Sequence, residues 1–171
     1  HAISKVKARA DAFYVMDATG MNDTIDTVKS TVKTLDTNYA GTYYPWVKIV
    51  DRDTNSPVFV PPSVVLPGVI SFTDSVAHEW FAPAGLNRGG LTSVTEAKTR
   101  LTHAERDDLY DNRINPIASF PGQGVVVFGQ KTLQSRPSAL DRINVRRLLI
   151  ALRKFIASTS RFLVFEQNTS A

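Results

Sequence analysis

An α/β fold class is predicted by three features of the 171 residues: an early strand, helix, strand succession, a long amphipathic helix near the end, and two apolar runs split by a glycine-bearing bend. Hydrophobic residues make up 43% of the chain, enough to bury one core of ordinary size, so residues 1–171 are read as a single α/β domain. Charged residues at 21% argue against disorder. No run approaches the roughly 18 apolar residues that span a bilayer, so no membrane partner is expected. With no cysteine, disulfides, thiolate nucleophiles and cysteine metal sites are excluded together. The chain opens on His1 without a basic-then-apolar leader, which gives the expectation of a fragment from inside a longer protein.

Residues 12–17 (AFYVMD) form a short buried strand, closed by a turn at Gly20 and Asn22. In DTIDTVKSTVKTLD, from Asp23, the residues Ile25, Val28, Val32 and Leu35 share one helical face, with Asn22 or Asp23 as cap. Residues 39–50 are aromatic and β-branched, and Pro45, which cannot donate to a ladder, predicts a strand interrupted or at an edge there. The order to this point is βαβ. A polar turn over 51–56 precedes a short strand at 58–60, and Pro61 and Pro62 then open a helix whose Val65, Val69, Phe72 and Val76 fall on one face. Pro67 weighs against that helix, because proline past the first turn costs about 3 kcal/mol.

Residues 81–90 (FAPAGLNRGG) read as a loop. THAERDDLY, 102–110, is a short helix in which Thr102 and Glu105 form a capping box and Asp111 and Asn112 end the element. The runs 114–120 and 125–128, split by PGQG, are two strands around a hairpin or sharp bend, and 134–141 is a polar loop. Residues 143–158 place Val145, Leu148, Leu149, Leu152, Phe155 and Ile156 on an apolar stripe, with Asp141 as candidate cap. Its other face carries Arg142, Arg146, Arg147, Arg153 and Lys154 with no acid among them. Residues 161–166 (RFLVFE) are then expected to return as a strand.

Three stretches in register closely resemble the core of contractile phage tail sheath proteins of the T4-like type. They are SFPGQGVVVFGQKTL (119–133), INVRRLLIALRKFI (143–156) and FLVFEQNT (162–169), carrying Gly122, Gly124, Gly129, Asn144, Phe165 and Glu166 as motif residues. Gln167 stands where many members of that family have proline. Upstream, PPSVVLPGVISFTDSVAHEWFAPAG (61–85) is similar to the family's proline-led helix and W-x-A-P-A loop, with Phe81 inside the loop. The resemblance implies a subtilisin-like core, an open mixed sheet flanked by helices. It also implies a non-enzymatic structural subunit of the virion tail sheath, made in the host cytoplasm and polymerising as stacked hexameric rings around the tail tube above a baseplate. The sheath contracts to drive the tube through the host envelope. In the family the chain continues into a C-terminal domain that exchanges strands with neighbouring subunits. A 171-residue chain without that segment is expected to be monomeric.

No catalytic or cofactor constellation emerges. His78 and His103 are the internal histidines, and no serine stands in a G-x-S-x-G turn. Asp107, Asp108 and Asp111 lack the glycine and twelfth-position glutamate of a calcium loop, so no metal is expected. Gly122 and Gly124 are followed by a strand and not by a helix, which excludes a phosphate loop. The five cations of the last helix form the candidate inter-subunit interface, docking on acidic surface of a neighbouring copy. Solvation with pairing to Asp107–Asp111 of the same chain stays open beside it. An α/β binding or enzymatic module with a basic helix face for an acidic partner or nucleic acid is the alternative. Nucleic acid is not expected there, because no outward aromatic side chain interleaves the cations.

Overall fold

In the computed structural model, residues 1–18 and 20–166 are described. After an N-terminal helix α1 (Ala2–Arg9), the strand β1 (Tyr14–Met16), helix α2 (Ile25–Lys33) and strand β2 (Ala40–Tyr44) form the expected βαβ unit, β1 and β2 pairing in parallel from Tyr14↔Ala40. Ile25 and Leu35 are partly buried and Val28 and Val32 fully so, as the spacing requires. The cap is Thr24, whose hydroxyl accepts from Thr27 N–H, one residue beyond the expected positions. Asp23 is spent instead on the preceding turn, accepting from Gly20 N–H at 2.7 Å.

The chain breaks at Pro45, after a cis Tyr44–Pro45 peptide, into a separate strand β3 (Val47–Val50). β3 pairs antiparallel with β4 (Pro57–Val60) on one side and with β5 (Val94–Ala97) on the other. Helix α3 (Pro62–Val76) runs through Pro67 without a break. Its start is capped from a distance: the Asp17 carboxylate, just past β1, accepts from both the backbone N–H and the hydroxyl of Ser63. That replaces the capping side chain that Pro61 lacks. The buried face of α3 is Val65, Leu66, Val69 and Thr73, whereas Phe72 and Val76 of the expected face are exposed. This helix is apolar almost all round, so periodicity alone does not select its inner side.

The loop over 77–93 is followed, after β5, by α4 (His103–Asp111), β6 (Ile114–Phe120) and β7 (Gly124–Val127). Strand β6 joins β2 in parallel, and β7 folds back on β6 antiparallel, giving the mixed order β1-β2-β6-β7. Gly122 and Gly124 both take φ of +75° in the hairpin, a conformation that β-carbon sterics make costly for other residues. The open mixed sheet is thus confirmed, with β3, β4 and β5 forming a second, three-stranded antiparallel sheet. One sheet face packs Ala40, Tyr44 and Ile114 on α2 and α4 through Val28, Val32 and Leu109. The other packs Tyr43, Ile117 and Val127 on α3 and on Ile143 of the last helix, α5 (Ile143–Thr159).

The α4 capping box is present in both directions, Glu105 N–H donating to Thr102 Oγ1 at 3.3 Å and Thr102 N–H to Glu105 Oε2 at 2.8 Å. The Thr102 backbone and side-chain hydrogen bonds hold the Glu105 carboxyl below the usual carboxylate range. A lowered folded-state pKa contributes stability that is complete above the unfolded value, roughly pH 4.3 for glutamate, and is lost as pH falls through the folded value. Glu105→Gln is therefore expected to flatten the acid limb of a stability-against-pH curve measured by denaturant titration, with little change in its slope near neutrality.

Candidate assembly surface

The segment after β7, Phe128 to Leu133, stitches the sheet to α5. Asn115, fully buried at the second position of β6, presents its side-chain amide to Lys131 as a peptide unit would. Its Oδ1 accepts from Lys131 N–H at 2.6 Å, while Nδ2 donates to the Lys131 carbonyl at 2.8 Å and to the Thr42 carbonyl of β2 at 3.0 Å. The backbone crosses this amide so closely that a β-carbon at Gly129 would lie 2.9 Å from Asn115 Oδ1 and from Pro116 Cδ. Thr132 then donates its hydroxyl to the Leu140 carbonyl at 3.0 Å, and the buried Leu133 donates its N–H to Ala40 at 2.9 Å. The end of the 119–133 stretch, GQKTL, is thereby explained: Gly129 for close approach, Thr132 for the following loop, Leu133 for the core.

The same segment starts α5. Ile143 N–H donates to the Gln130 carbonyl at 2.9 Å and Asn144 N–H reaches Gln130 Oε1 at 3.4 Å, so Gln130 caps the helix and Asp141 does not. Asn144 donates from Nδ2 to the Trp80 carbonyl at 3.0 Å, tying the helix to the loop after α3.

The expected inner stripe of α5 is corrected by the structure. The buried residues are Ile143, Arg146 and Ile150, while Leu149, Leu152, Phe155 and Ile156 are exposed, Phe155 at 66%. The helix packs by its N-terminal half and its C-terminal half projects. The chain beyond it is not a strand: Ser160–Leu163 form a 3-10 turn, and Phe162, Leu163, Val164 and Phe165 are exposed, with Glu166 exposed beside them. A strand needs a ladder partner for its backbone groups, and carried out on the projecting helix end this segment meets none among the described residues. Gln167 to Thr169 of the resembling stretch lie outside the described residues.

The cations of α5 divide accordingly. Arg146 is 8% exposed, its guanidinium 4.1 Å from the Tyr39 ring centroid, and burial pushes its pKa down from the ordinary arginine value. Arg147 pairs with Asp74 at the end of α3, and Arg142 holds Asp141 at 3.2 Å and the Tyr110 hydroxyl at 2.6 Å. No acid stands among these residues on the helix, yet the fold brings Asp74 and Asp141 to them, neither of which belongs to the 107–111 cluster. Arg153 and Lys154 remain exposed. Lys154 adds a small pull to Asp11, whose carboxyl is held low chiefly by its hydrogen bonds to Arg9.

The remaining candidates take ordinary places. His103 pairs through Nδ1 with Asp107 at 2.8 Å on an exposed helix end, and His78 stacks on Trp80 with ring centroids 4.3 Å apart. Asp108 binds Lys29 at 2.8 Å and Asp111 lies 3.8 Å from Lys131. Among the described residues no cluster of three or more metal-ligating side chains occurs. No helix among them is long and apolar enough to cross a membrane.

Sequence reasoning missed Asn115, Tyr39 and Asp74. A lone amide within the apolar run INPIASF was the one local signal for the first; the other two are reached only through the fold.

Fold and surface together describe a structural block of the α/β class, organised around a stitched sheet with an apolar helix end outward. The family model for the phage tail sheath protein central domain matches residues 1–133. The chain is 40% identical over 141 residues to the tail sheath protein of Vibrio phage KVP40, covering 82% of this chain and 20% of that protein. It is 36% identical over 143 residues to the tail sheath protein of Enterobacteria phage T4, covering 84% and 21%. A solved sheath complex of an extracellular contractile injection system, PVC, in its contracted state matches with TM-score 0.78 and 29% identity over 92% of this chain and 43% of that one. The chain belongs to the phage tail sheath protein family. It spans about a fifth of the length of the curated relatives it matches.

The division of the arginines has a direct consequence. Arg146→Glu buries an unpaired carboxylate against Tyr39 and is expected to destabilise the chain by roughly 2–4 kcal/mol. Arg153→Glu, at the surface, is expected to stay within about 0.5 kcal/mol of the parent in the same denaturant titration.

Proposed function

We propose that the chain is the central block of a contractile sheath subunit, working by repeated packing and not by catalysis. The observation that carries this is the agreement of sequence and fold: 40% identity to a phage tail sheath protein, with a shared architecture in a contracted sheath complex. In this reading the whole subunit stacks with its copies as hexameric rings around a tail tube, above a baseplate, in the virion tail. Assembly from free subunits takes place in the host cytoplasm. Contraction of that array drives the tube through the host envelope. The chain is read as a single domain of the subunit, and no cofactor, nucleic acid or membrane takes part.

The stitched sheet supports a mechanical role, because a block that passes load between neighbours must not deform internally. Of the candidate interface, Arg153 and Lys154 are the cations free to meet acidic surface on a neighbouring copy, while Arg142, Arg146 and Arg147 hold α5 in place behind them. The exposed Leu152, Phe155 and Ile156 beside these two cations support α5 as an element that meets further polypeptide.

Electron microscopy of the intact, purified sheath polypeptide tests the reading. Tubular polymers of regular diameter are expected, and discrete monomers under every assembly condition contradict it. Reversing both exposed charges, Arg153→Glu with Lys154→Glu, is expected to reduce polymer yield without lowering Tm. Undiminished polymer in that variant removes these residues from the interface.

A further inference from the structure

Among the described residues Arg146 is a cation buried without a counter-ion. Only 8% of the residue is exposed, yet no described carboxylate pairs with it, whereas its neighbours Arg142 and Arg147 hold Asp141 and Asp74. The Tyr39 ring covers one flat side of the guanidinium at 4.1 Å, and Nε is buried with no hydrogen-bond partner among the described residues. An aromatic face attracts a cation but does not satisfy its in-plane N–H groups, so the donating edge is left for another partner. Burial pushes the pKa down, the direction of a charge left without compensation. An arginine keeps its proton all the same, so it does not relieve the burial by turning neutral.

The chemistry of the partner follows from the charge. One positive charge is balanced by one negative charge, and the planar fork of a guanidinium fits a carboxylate through two parallel hydrogen bonds. A phosphate group carries close to two charges at neutral pH and calls for a second cation. The adjacent Arg142 and Arg147 are already neutralised inside the chain.

Helix geometry gives the direction of approach. Arg146, Leu149 and Arg153 recur at three- and four-residue spacing and share one side of α5. Leu149 is 42% exposed and Arg153 is exposed, so a segment lying along that side of the projecting half passes over Arg146. The matched regions make up only 20% and 21% of two tail sheath proteins, so a subunit of that length has ample polypeptide beyond residues 1–171 to supply such a segment.

We infer that Arg146 is the receptor for one Asp or Glu carboxylate that the sheath polypeptide brings from outside residues 1–171, and that this contact seats α5 against the segment carrying it. The inference rests on membership of the sheath family and not on polymerisation. The carboxylate comes from the same subunit or from a neighbouring copy, with the same chemistry at Arg146, and cross-linking separates the two sources.

In the intact sheath polypeptide, Arg146→Lys followed by a water-soluble carbodiimide joins the lysine amine to a carboxylate in contact with it as an amide. Peptide mass spectrometry is expected to find position 146 linked to one Asp or Glu outside residues 1–171. A link already formed in dissociated subunits places the carboxylate in the same subunit. A link found only in polymer, and between labelled and unlabelled copies of an isotopically mixed one, places it in the neighbour. Links confined to acids of residues 1–171, or no link, overturn the inference. Arg146→Met keeps a long stem over Tyr39 and removes the charge. It is expected to lower the folding constant, or polymer yield where the carboxylate is a neighbour's, at least about tenfold. Replacing the linked acid by its amide as well is expected to restore most of that loss. A single variant as stable and as ready to polymerise as the parent overturns the inference, and so does a double variant that recovers nothing. If the unsubstituted polypeptide forms no polymer while the same-subunit link is found, the sheath reading falls and this inference stands.

Discussion

The side-chain amide of Asn115 occupies a place in the sheet where a backbone peptide would otherwise stand. It bonds both polar groups of Lys131 and the Thr42 carbonyl of the neighbouring strand, so β2, β6 and the segment leading to α5 meet at one buried point. Leaving any of these groups unpaired in the interior costs about 1–3 kcal/mol, which makes the seam close to an all-or-none arrangement. Gly129 follows from it, since only a residue without a β-carbon lets the backbone pass over the amide. Gln130 follows in turn, reaching the first N–H groups of α5 from the outside. The orientation of the last helix is thus set by a strand residue some thirty positions earlier.

Around that seam the charges divide by depth. Arg113 donates to the Leu35 and Leu133 carbonyls at 2.8 and 2.6 Å, closing the end of α2 on the same segment. Lys131 lies over the Tyr110 ring at 4.1 Å, and burial lowers its pKa. Arg142, Arg146 and Arg147 each turn inward to an aromatic ring or a carboxylate. Residues 101–171 hold ten Lys and Arg against six Asp and Glu, and five of those ten, Arg113, Lys131, Arg142, Arg146 and Arg147, serve internal joins. These joins hold their geometry, because guanidinium groups satisfy several carbonyls or one ring in a fixed arrangement. The apolar groups left outside lie on α3 and on the far half of α5.

Much of the architecture was legible in the sequence. The βαβ unit, the break at Pro45, the Thr102 capping box and the glycine hairpin all rest on local chemistry, in which backbone restriction or a short-range hydrogen bond decides the outcome. The faces of α3 and α5 were not legible. Both helices carry apolar residues on more than one side, and which side turns inward is settled by partners distant in sequence: Asp17 for the first, Gln130, Tyr39 and Asp74 for the second. Residues 161–166 have strand-like composition but meet no ladder partner among the described residues, so composition misled. The motif residues Gly129 and Asn144 were found by resemblance, and their physical reasons became visible only with Asn115, Gln130 and Trp80 in place.

The central claim is that the Asn115 seam makes the sheet and the base of α5 one cooperative unit. Native-state hydrogen exchange reads this residue by residue. The amides of Lys131, Leu133 and Ile143 are predicted to exchange only through global unfolding, with the same opening free energy as the β2 and β6 ladder. Exchange of those three amides through a lower-energy local opening, while β2 and β6 stay protected, would contradict it.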